Sequence, residues 1–313
     1  MSTRTGADTL PQTAPVETTE PGKVQLRQLT GDPVLSYFIY VPKKRRPHAP
    51  LFVSVHGVSR NAREHAELFA PLAEQYGVVL AAPLFSRRHF GDYQRLGREG
   101  SGRRADHAMR LMTSEIEVLT GADSRKLSLF GFSGGGQFAH RYTMAWPDRV
   151  QRLAIGAAGW YTRPDESSRY PYGTAPTPRL PDVDFNARKF LQVPACVLVG
   201  QWDIQYDPGL NQSPRIQRQQ GMTRLERGRR WIDAMNRAAV AHGMNTPYTF
   251  SIVPGVDHDF SRAMGNGQLG QRVFSYLFGT APRLAAQVKP LAPGQLDDIR
   301  QAGLALPAID AVV

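Results

Sequence analysis

Residues 126–136, which read KLSLFGFSGGG, decide the fold that we predict for this chain. The first five are mostly apolar and predict a buried strand, and the pattern G-x-S-x-G follows at once at residues 131–135. An apolar helix is predicted after it and ends before Pro147. Small residues around Ser133 let a strand and a helix approach each other closely at a tight, strained turn. The segment therefore predicts that Ser133 presents its hydroxyl above a sheet, at the N-terminus of a helix.

Strands and helices alternate on both sides of this segment. The predicted strands are residues 34–41, 51–55, 78–82, 126–130, 153–155, 196–199 and 248–253. The predicted helices are residues 62–75, 106–119, 134–146, 223–242 and 268–278. Because such alternation places helices on both faces of a mostly parallel sheet, and because the strands are apolar throughout, we predict an α/β fold.

The two ends of the chain and two insertions depart from this alternation. Residues 1–24 are rich in Thr, Pro, Glu and Gly and are expected to form a disordered tail. Residues 25–280 are expected to form one domain, and residues 281–313, rich in Pro and Ala, a C-terminal extension. Within the domain, residues 161–183 and 203–219 are expected to be irregular insertions that cap the sheet. Long insertions of this kind usually serve function.

The chain is strongly basic. Its 313 residues carry a formal net charge of +11, with 38 Lys and Arg against 27 Asp and Glu. Such a charge attracts anions, including nucleic acids and anionic substrates. The arginines are spread along the chain, and the densest basic stretch, residues 87–104, lacks the aromatic platform of an RNA-binding module. We therefore expect a basic surface without a nucleic-acid partner, and a mobile loop at residues 87–104 beside the site.

Cysteine content and hydropathy limit the function classes further. Cys196 is the only cysteine, so an intrachain disulfide and a zinc site with several thiolates are excluded. No apolar run approaches the length of a membrane span, and the first residues lack the apolar core of a secretory signal. We expect a cytoplasmic protein that needs no metal, no organic cofactor and no membrane.

A catalytic acid and base follow the serine in the order that this kind of fold requires. A serine hydroxyl is a weak nucleophile, so it needs a base, and the base needs an orienting carboxylate. Asp203 lies just beyond the strand at 196–199, and His258 lies just beyond the strand at 248–253. The carboxyl ends of parallel strands meet at one sheet edge. We predict Ser133 as nucleophile, Asp203 as orienting acid and His258 as base, with Asp207 as an alternative acid.

An oxyanion hole is predicted at the same edge. One donor is the backbone N–H after the nucleophile, here Gly134, and the other comes from the turn after an earlier strand. Residues 55–58, which read VHGV, have the form of that turn. Val58 is the predicted second donor and Gly57 the neighbouring candidate, while His56 is expected to orient the loop.

Aromatic residues near the strand ends are predicted to wall the substrate pocket. They are Phe85, Phe132, Trp160, Tyr161 and Trp202. For Trp160 and Trp202, a place in the core fits the sequence as well as a place in the pocket does. The arginines of residues 87–104 could bind a carboxylate or phosphate of the substrate.

On these residues the sequence resembles the α/β-hydrolase superfamily of serine hydrolases, and more narrowly the esterase and polyhydroxybutyrate depolymerase-like hydrolases. The resemblance covers residues 35–278. It rests on YVP at 40–42, VHG at 55–57, GFSGGG at 131–136, GQWD at 200–203 and PGVDH at 254–258. It implies the α/β-hydrolase fold and cleavage of carboxylic esters, including hydroxyacyl esters or polyesters, through an acyl-enzyme on Ser133. A small-molecule ester is the expected substrate.

Two other function classes stay open from the sequence. A peptidase, a thioesterase or a dienelactone-type hydrolase would use the same fold and the same residues. A non-catalytic protein that binds nucleic acid or another anion would use the basic surface and not Ser133. Reaction with a fluorophosphonate separates these classes, because it requires an activated serine.

Overall fold

An eight-stranded sheet forms the centre of the computed structural model, which describes residues 19–279 apart from Pro33, Tyr206 and Pro208. Its strands are β1 Val24–Gln28, β2 Ser36–Tyr40, β3 Pro50–Val55, β4 Val79–Leu84, β5 Asp123–Phe132, β6 Val150–Gly156, β7 Ala195–Gly200 and β8 Tyr248–Val253. Their order across the sheet is β1-β2-β4-β3-β5-β6-β7-β8. β2 is antiparallel to β1 and β4, and the other neighbours are parallel. The predicted fold class, α/β with a mostly parallel sheet, is confirmed.

Helices cover the two faces of this sheet. They are α1 Ala62–Tyr76, α2 Ala105–Thr120, α3 Gly134–Ala145, α4 Ala187–Phe190, α5 Pro214–Gln220, α6 Arg224–Ala241, α7 Phe260–Gly265 and α8 Leu269–Phe278. On one face Phe52 of β3 packs against Phe69 of α1 and Phe274 of α8, with ring centroids 5.0 and 4.8 Å away. On the other face α3 meets α6 through His140 and Trp231, 5.7 Å apart. Alternate residues of each strand supply the two faces, so the central strands are apolar throughout.

Strand β1, the two insertions and the ends of the chain follow the sequence prediction only in part, and some of them lie outside the described residues. Strand β1 was not predicted, because its residues, VQLRQ, are mostly polar and only partly buried at the sheet edge. The second insertion is not irregular to its end, since Pro214 begins helix α5 and proline fits the first turn of a helix. The first insertion, residues 161–183, is irregular. Most of the predicted tail and all of residues 281–313 lie outside the described residues.

The backbone of β3, β5 and α3 comes very close at the turn that carries Ser133. A Cβ atom added to Gly135 would overlap the carbonyl oxygen of Val55, and one added to Gly131 would overlap the carbonyl of Gly135. Ser133 has a φ of 53°, a conformation that costs energy for a residue other than glycine. Its N–H donates to the Gly156 carbonyl of β6 at 2.7 Å. The glycines are therefore required by close backbone packing, which holds Ser133 in its strained conformation.

We expect Gly135→Ala to lower the free energy of unfolding by about 3 kcal/mol, because the new methyl group forces backbone atoms of β3 and α3 apart. Gly265→Ala is the matched control, since its Cβ would meet no atom within 4 Å. That variant is expected to stay within about 0.5 kcal/mol of the original chain. Urea denaturation followed by circular dichroism measures both. Equal stabilities for the two variants would contradict the close approach.

Candidate active site

Three side chains from three strand ends form a continuous chain of hydrogen bonds. The Oγ of Ser133, between β5 and α3, lies 2.9 Å from Nε2 of His258. The Nδ1 of the same imidazole lies 2.7 Å from Oδ2 of Asp203. A carboxylate only accepts, so Nδ1 carries the proton and Nε2 is free to accept the serine proton. The structure thus brings together the three residues predicted as nucleophile, acid and base.

Backbone contacts between the loops after β7 and β8 bring Asp203 and His258 together. The N–H groups of Gln201 and Trp202 donate to the carbonyls of Val253 and Val256, both at 2.9 Å. The loops are so close that a Cβ on Gly200 would lie 2.5 Å from the Val256 oxygen. Glycine at the end of β7 is therefore the local sequence feature that permits this pairing.

The two candidate acids have different partners. Asp203 is 3% exposed and binds His258 through one oxygen and Arg224 through the other, the second contact being 3.1 Å. Asp207 is partly exposed and pairs with Arg224, not with the imidazole. Of the acids that flank the histidine in sequence, Asp257 pairs with Arg262 at 3.2 Å. Asp203 is thus the carboxylate that hydrogen-bonds to His258.

The predicted oxyanion turn lies against the nucleophile. A Cβ on Gly57 would lie 3.5 Å from the Cβ of Ser133, and one on Gly134 would lie 3.2 Å from Cγ1 of Val58. The N–H of Gly134 belongs to the first turn of α3, where backbone N–H groups have no acceptor within the helix. The turn that carries Gly57 and Val58 therefore lies next to Ser133 and Gly134, the residues from which the oxyanion hole is predicted.

The buried side chain of His56 links this turn to the residue after β4 through hydrogen bonds. It is fully buried, its Nδ1 donates to the Gly57 carbonyl at 2.7 Å, and its Nε2 accepts from the N–H of Phe85 at 3.0 Å. Burial lowers the pKa of His56 to about 4, so the ring is neutral at neutral pH and its two nitrogens can play these different roles. Tyr93 donates to the His56 carbonyl at 3.1 Å.

Sequence reasoning missed two further residues around the turn. Arg60 donates to the carbonyls of Phe85 at 2.8 Å and Val58 at 3.0 Å, so its side chain ties the turn to the end of β4. The amide of Gln94 would lie 2.8 Å from a Cβ on Gly134, beside the predicted oxyanion donor. No motif singles out an arginine or a glutamine for such a role, since each acts through contacts that only the fold creates.

The basic stretch at residues 87–104 is more ordered around its centre than the predicted mobile loop. Asp92 is almost fully buried and accepts from Arg95 at 2.6 Å and from Arg98 at 2.9 Å. Arg104 pairs with Asp106 at 2.7 Å and also with Asp182. Tyr93 of this stretch lies in the core. Carboxylates within and next to the stretch, together with the distant Asp182, therefore anchor much of it.

A cavity of about 370 Å³ opens beside Ser133. It is lined by Gly57, Val58, Ser59, Asn61, Glu64, Phe132, Ser133, His258, Asp259, Phe260 and Ser261. One wall is a polar chain in which Ser59 donates to Asn61 at 2.9 Å and Asn61 donates to Glu64 at 2.5 Å. Ser261 donates to the other oxygen of Glu64. The cavity therefore offers hydroxyl, amide and carboxylate groups close to the nucleophile.

Of the five aromatic residues predicted to wall the pocket, Phe132 lines this cavity and the other four do not. Phe132 lines the cavity, and its ring stacks on His258 with centroids 5.2 Å apart. Phe85 and Tyr161 are fully buried in the core, and Trp160 is largely buried under the guanidinium of Arg141 at 4.2 Å. Trp202 is 53% exposed and does not line this cavity. Position after a strand end predicted proximity to the site, but not the direction in which each ring points.

Metal-binding clusters and membrane-spanning helices are both absent from the described residues. Within residues 19–279, with the three gaps noted above, no three His, Cys, Asp or Glu side chains are grouped so that they could hold a metal ion. Over the same residues, no helix combines the length and the apolar character needed to cross a bilayer.

Solved structures similar to this chain are hydrolases. Poly(aspartic acid) hydrolase-1 from Sphingomonas sp. KT-1 matches with a TM-score of 0.70 and 25% identity, over 83% of this chain and 99% of that one. A poly(3-hydroxybutyrate) depolymerase from Bordetella parapertussis matches with a TM-score of 0.66 and 27% identity, over 80% of this chain and 86% of that one. An S-formylglutathione hydrolase from Agrobacterium tumefaciens, 15% identical over 78% of this chain and 90% of that one, matches with a TM-score of 0.51.

The comparison with protein-family models and the comparison with curated proteins found no match. The structural matches and the sheet order together show that the chain has the α/β-hydrolase fold. The resemblance to esterases and polyhydroxybutyrate depolymerase-like hydrolases is confirmed.

We expect Asp203→Asn to lower kcat/KM for an ester by three to four orders of magnitude, on the order of what loss of the orienting carboxylate costs in serine hydrolases. An amide there cannot hold the imidazole in the required tautomer or stabilise its charged form. The control is Asp257→Asn, next to the histidine in sequence but paired with Arg262. It should change kcat/KM by less than about threefold. Similar losses in both variants would contradict the assignment of Asp203.

The buried histidines make a prediction about stability and pH. The pKa of His56 is about 4 in the folded chain, and burial also lowers the pKa of His65 and of His140 well below the ordinary value near 6.5. Below pH 6.5 the unfolded chain therefore binds more protons than the folded chain. The contribution of these neutral histidines to the free energy of unfolding should thus be fully present above pH 6.5 and fall as the pH decreases towards 4.

Urea denaturation at pH 7, 6 and 5 measures this dependence. From His56 alone we expect a loss on the order of 2 kcal/mol between pH 7 and pH 5. His48→Gln removes an exposed histidine and should leave the dependence unchanged. Equal stability at pH 7 and pH 5 would show that the buried rings are not held neutral.

Proposed function

We propose that this protein is a serine carboxylesterase that cleaves small, polar carboxylic esters through an acyl-enzyme on Ser133. The observation that carries the proposal is the hydrogen-bond chain from Asp203 through His258 to Ser133, with distances of 2.7 and 2.9 Å. The similarity to a poly(3-hydroxybutyrate) depolymerase, which acts on a polyester, supports ester chemistry.

The proposed reaction has two steps. His258 Nε2 takes the proton of Ser133 as Oγ attacks the ester carbonyl, and the N–H groups of Gly134 and Val58 bind the resulting oxyanion. The imidazolium, stabilised by Asp203, then gives its proton to the departing alkoxide, and the acyl group stays on Ser133. Water, deprotonated by His258, attacks the acyl-enzyme in the same way and releases the acid.

The choice of a polar substrate rests on the cavity beside the nucleophile. A volume of about 370 Å³ fits a small group, and the wall formed by Ser59, Asn61 and Glu64 has groups that hydrogen-bond to hydroxyls. A long alkyl chain in this position would remove these polar groups from water and offer them no hydrogen bond, which costs free energy. Hydroxyacyl esters therefore suit the site better than long-chain lipid esters.

A second candidate activity is hydrolysis of an amide bond in an anionic polymer. It is favoured by the similarity to a poly(aspartic acid) hydrolase and by the net charge of +11. Both activities would use the same acyl-enzyme, because an acyl carbonyl is attacked in each. They differ in the leaving group. An ester releases an alcohol, whereas an amide releases an amine, whose nitrogen must be protonated before it can depart.

We expect a fluorophosphonate probe to label the protein at Ser133, and Ser133→Ala to abolish both labelling and ester hydrolysis. Ser59→Ala removes another hydroxyl from the same cavity and serves as the control, with labelling close to that of the original chain. Mass spectrometry of the labelled peptide identifies the modified serine. A wild-type chain that resists the probe would overturn the catalytic proposal.

A panel of matched substrates tests the substrate class. We expect p-nitrophenyl acetate and 3-hydroxybutyrate esters to be cleaved with a higher kcat/KM than the laurate ester. The p-nitroanilides and an aspartyl peptide should be cleaved more slowly than the corresponding esters. Faster turnover of the aspartyl amide would favour the second candidate activity.

A further inference from the structure

We infer that Arg224 is a positioning residue for the triad and that Asp207 balances its charge, so that this pair sets the pH at which His258 becomes a competent base. The inference rests on the proposed function, because it assigns a role in the same proton transfer. Neither residue belongs to the hydrolase motif in the sequence.

Arg224 holds the carboxylate that orients the base. Its Nη1 donates to Oδ1 of Asp203 at 3.1 Å, while Oδ2 of that carboxylate accepts from His258 at 2.7 Å. Each oxygen of Asp203 thus has a charged or polar partner on a different element. A carboxylate bound on both sides cannot rotate away from the imidazole, so Arg224 fixes the plane in which the hydrogen bond to His258 forms.

The backbone of Arg224 is itself held firmly. The residue begins helix α6, directly after Thr223, whose hydroxyl accepts from the N–H of Glu226 in a capping box. The guanidinium is 3% exposed, so water contributes little to its solvation. Its other terminal nitrogen, Nη2, donates to Asp207. The planar guanidinium group therefore bridges two carboxylates that lie four positions apart in one loop.

The charges of this group act on His258 in opposite directions. Asp203 and Asp207 favour the imidazolium, and Arg224 disfavours it. Burial raises the pKa of Asp207, but the hydrogen bonds from Arg224 and from the N–H of Gly209, together with the charge of Arg224, outweigh it, so the pKa is lowered and Asp207 is ionised at neutral pH. With all three present, the two carboxylates exceed the guanidinium by one charge. Loss of Asp207 makes the net charge of the group one unit more positive, and loss of Arg224 makes it one unit more negative.

Other charged or titratable groups lie near Arg224 or on either side of His258 in sequence. Arg227 lies on the same helix, and burial lowers its pKa to about 10, which leaves it protonated at neutral pH. Burial raises the pKa of Tyr161 far above its ordinary value, so Tyr161 is neutral. Further groups are Asp257 and Asp259, which flank the base in sequence, Arg262 of α7, and Glu64 across the cavity.

A purely structural role for Arg224 predicts a different result from the one inferred here. If the guanidinium only tied α6 to the loop, its loss would lower stability and activity at every pH alike. If it also sets the electrostatics of the base, the acid limb of the pH profile must move. Asp207→Asn provides the complementary change, because asparagine keeps an oxygen for the N–H of Gly209, which now donates to Asp207 at 2.7 Å.

The experiment measures kcat/KM for p-nitrophenyl acetate between pH 5 and 9, because this ratio reports the ionisation of the free enzyme and the ester itself does not ionise. For Asp207→Asn we expect the midpoint of the acid limb to move to lower pH by about 0.5–1 unit, because one nearby negative charge is lost. Activity on the plateau should stay within about threefold of the original chain.

For Arg224→Gln we expect the opposite shift, about one unit to higher pH, with a plateau kcat reduced about tenfold or more. Arg224→Lys keeps the charge but cannot bridge both carboxylates, so its midpoint should return towards that of the original chain while kcat stays reduced. Thermal unfolding of each variant is measured alongside. If Arg224→Gln does not fold, Asp207→Asn alone decides, since Asp207 is partly exposed.

Titration of the His258 ring followed by NMR separates this inference from the proposed function, because it needs no substrate. Opposite shifts of the imidazole titration in Asp207→Asn and Arg224→Gln support the inference even if no ester is cleaved. A midpoint that moves by less than about 0.2 unit in Asp207→Asn, in a chain that hydrolyses esters, would overturn the inference and leave the proposed function intact.

Discussion

The close backbone contact between β3, β5 and α3 is the constraint on which the rest of the site depends. It requires glycine at positions 131 and 135, and it holds Ser133 at a φ of 53°, with the hydroxyl facing the loops of other strands. The turn after β3 then lies beside Gly134, which is the placement that the proposed oxyanion hole requires. A similar contact between loops, at Gly200, brings the acid to the base. Close backbone packing thus builds both halves of the site.

Much of this arrangement could be predicted because it follows from the chain direction and not from side-chain detail. Parallel strands end at one edge, so residues just beyond three strand ends are neighbours whatever the helices between them do. The prediction failed where direction or context mattered. Phe85 follows β4 as closely as Ser133 follows β5, and Tyr161 lies five residues beyond β6, yet both rings are buried in the core. Strand β1 pairs at an edge where polar residues are tolerated, so apolar periodicity could not reveal it.

The choice between Asp203 and Asp207 illustrates the same limit. Both acids follow β7, and no spacing rule separates them. In the structure Asp203 binds the imidazole and Asp207 binds Arg224. Arg224 lies 21 positions beyond Asp203 in the chain, and no hydrolase motif includes it. A buried guanidinium needs carboxylates, because an unpaired charge in the interior costs several kcal/mol. Asp207 is therefore not redundant, because it helps to balance the charge of Arg224 and so allows Arg224 to remain buried beside Asp203.

The same pairing explains why a net charge of +11 does not by itself indicate a nucleic-acid surface. In the densest basic stretch, Arg95 and Arg98 share Asp92, and Arg104 lies between Asp106 and Asp182. These cations are used within the molecule to hold the segment that carries Tyr93 and Gln94 against the nucleophile turn. A surface that binds phosphates needs guanidinium groups that face solvent without carboxylate partners. The sequence shows how many arginines there are, but only the fold shows which of them are neutralised, and here several serve the architecture of the active site.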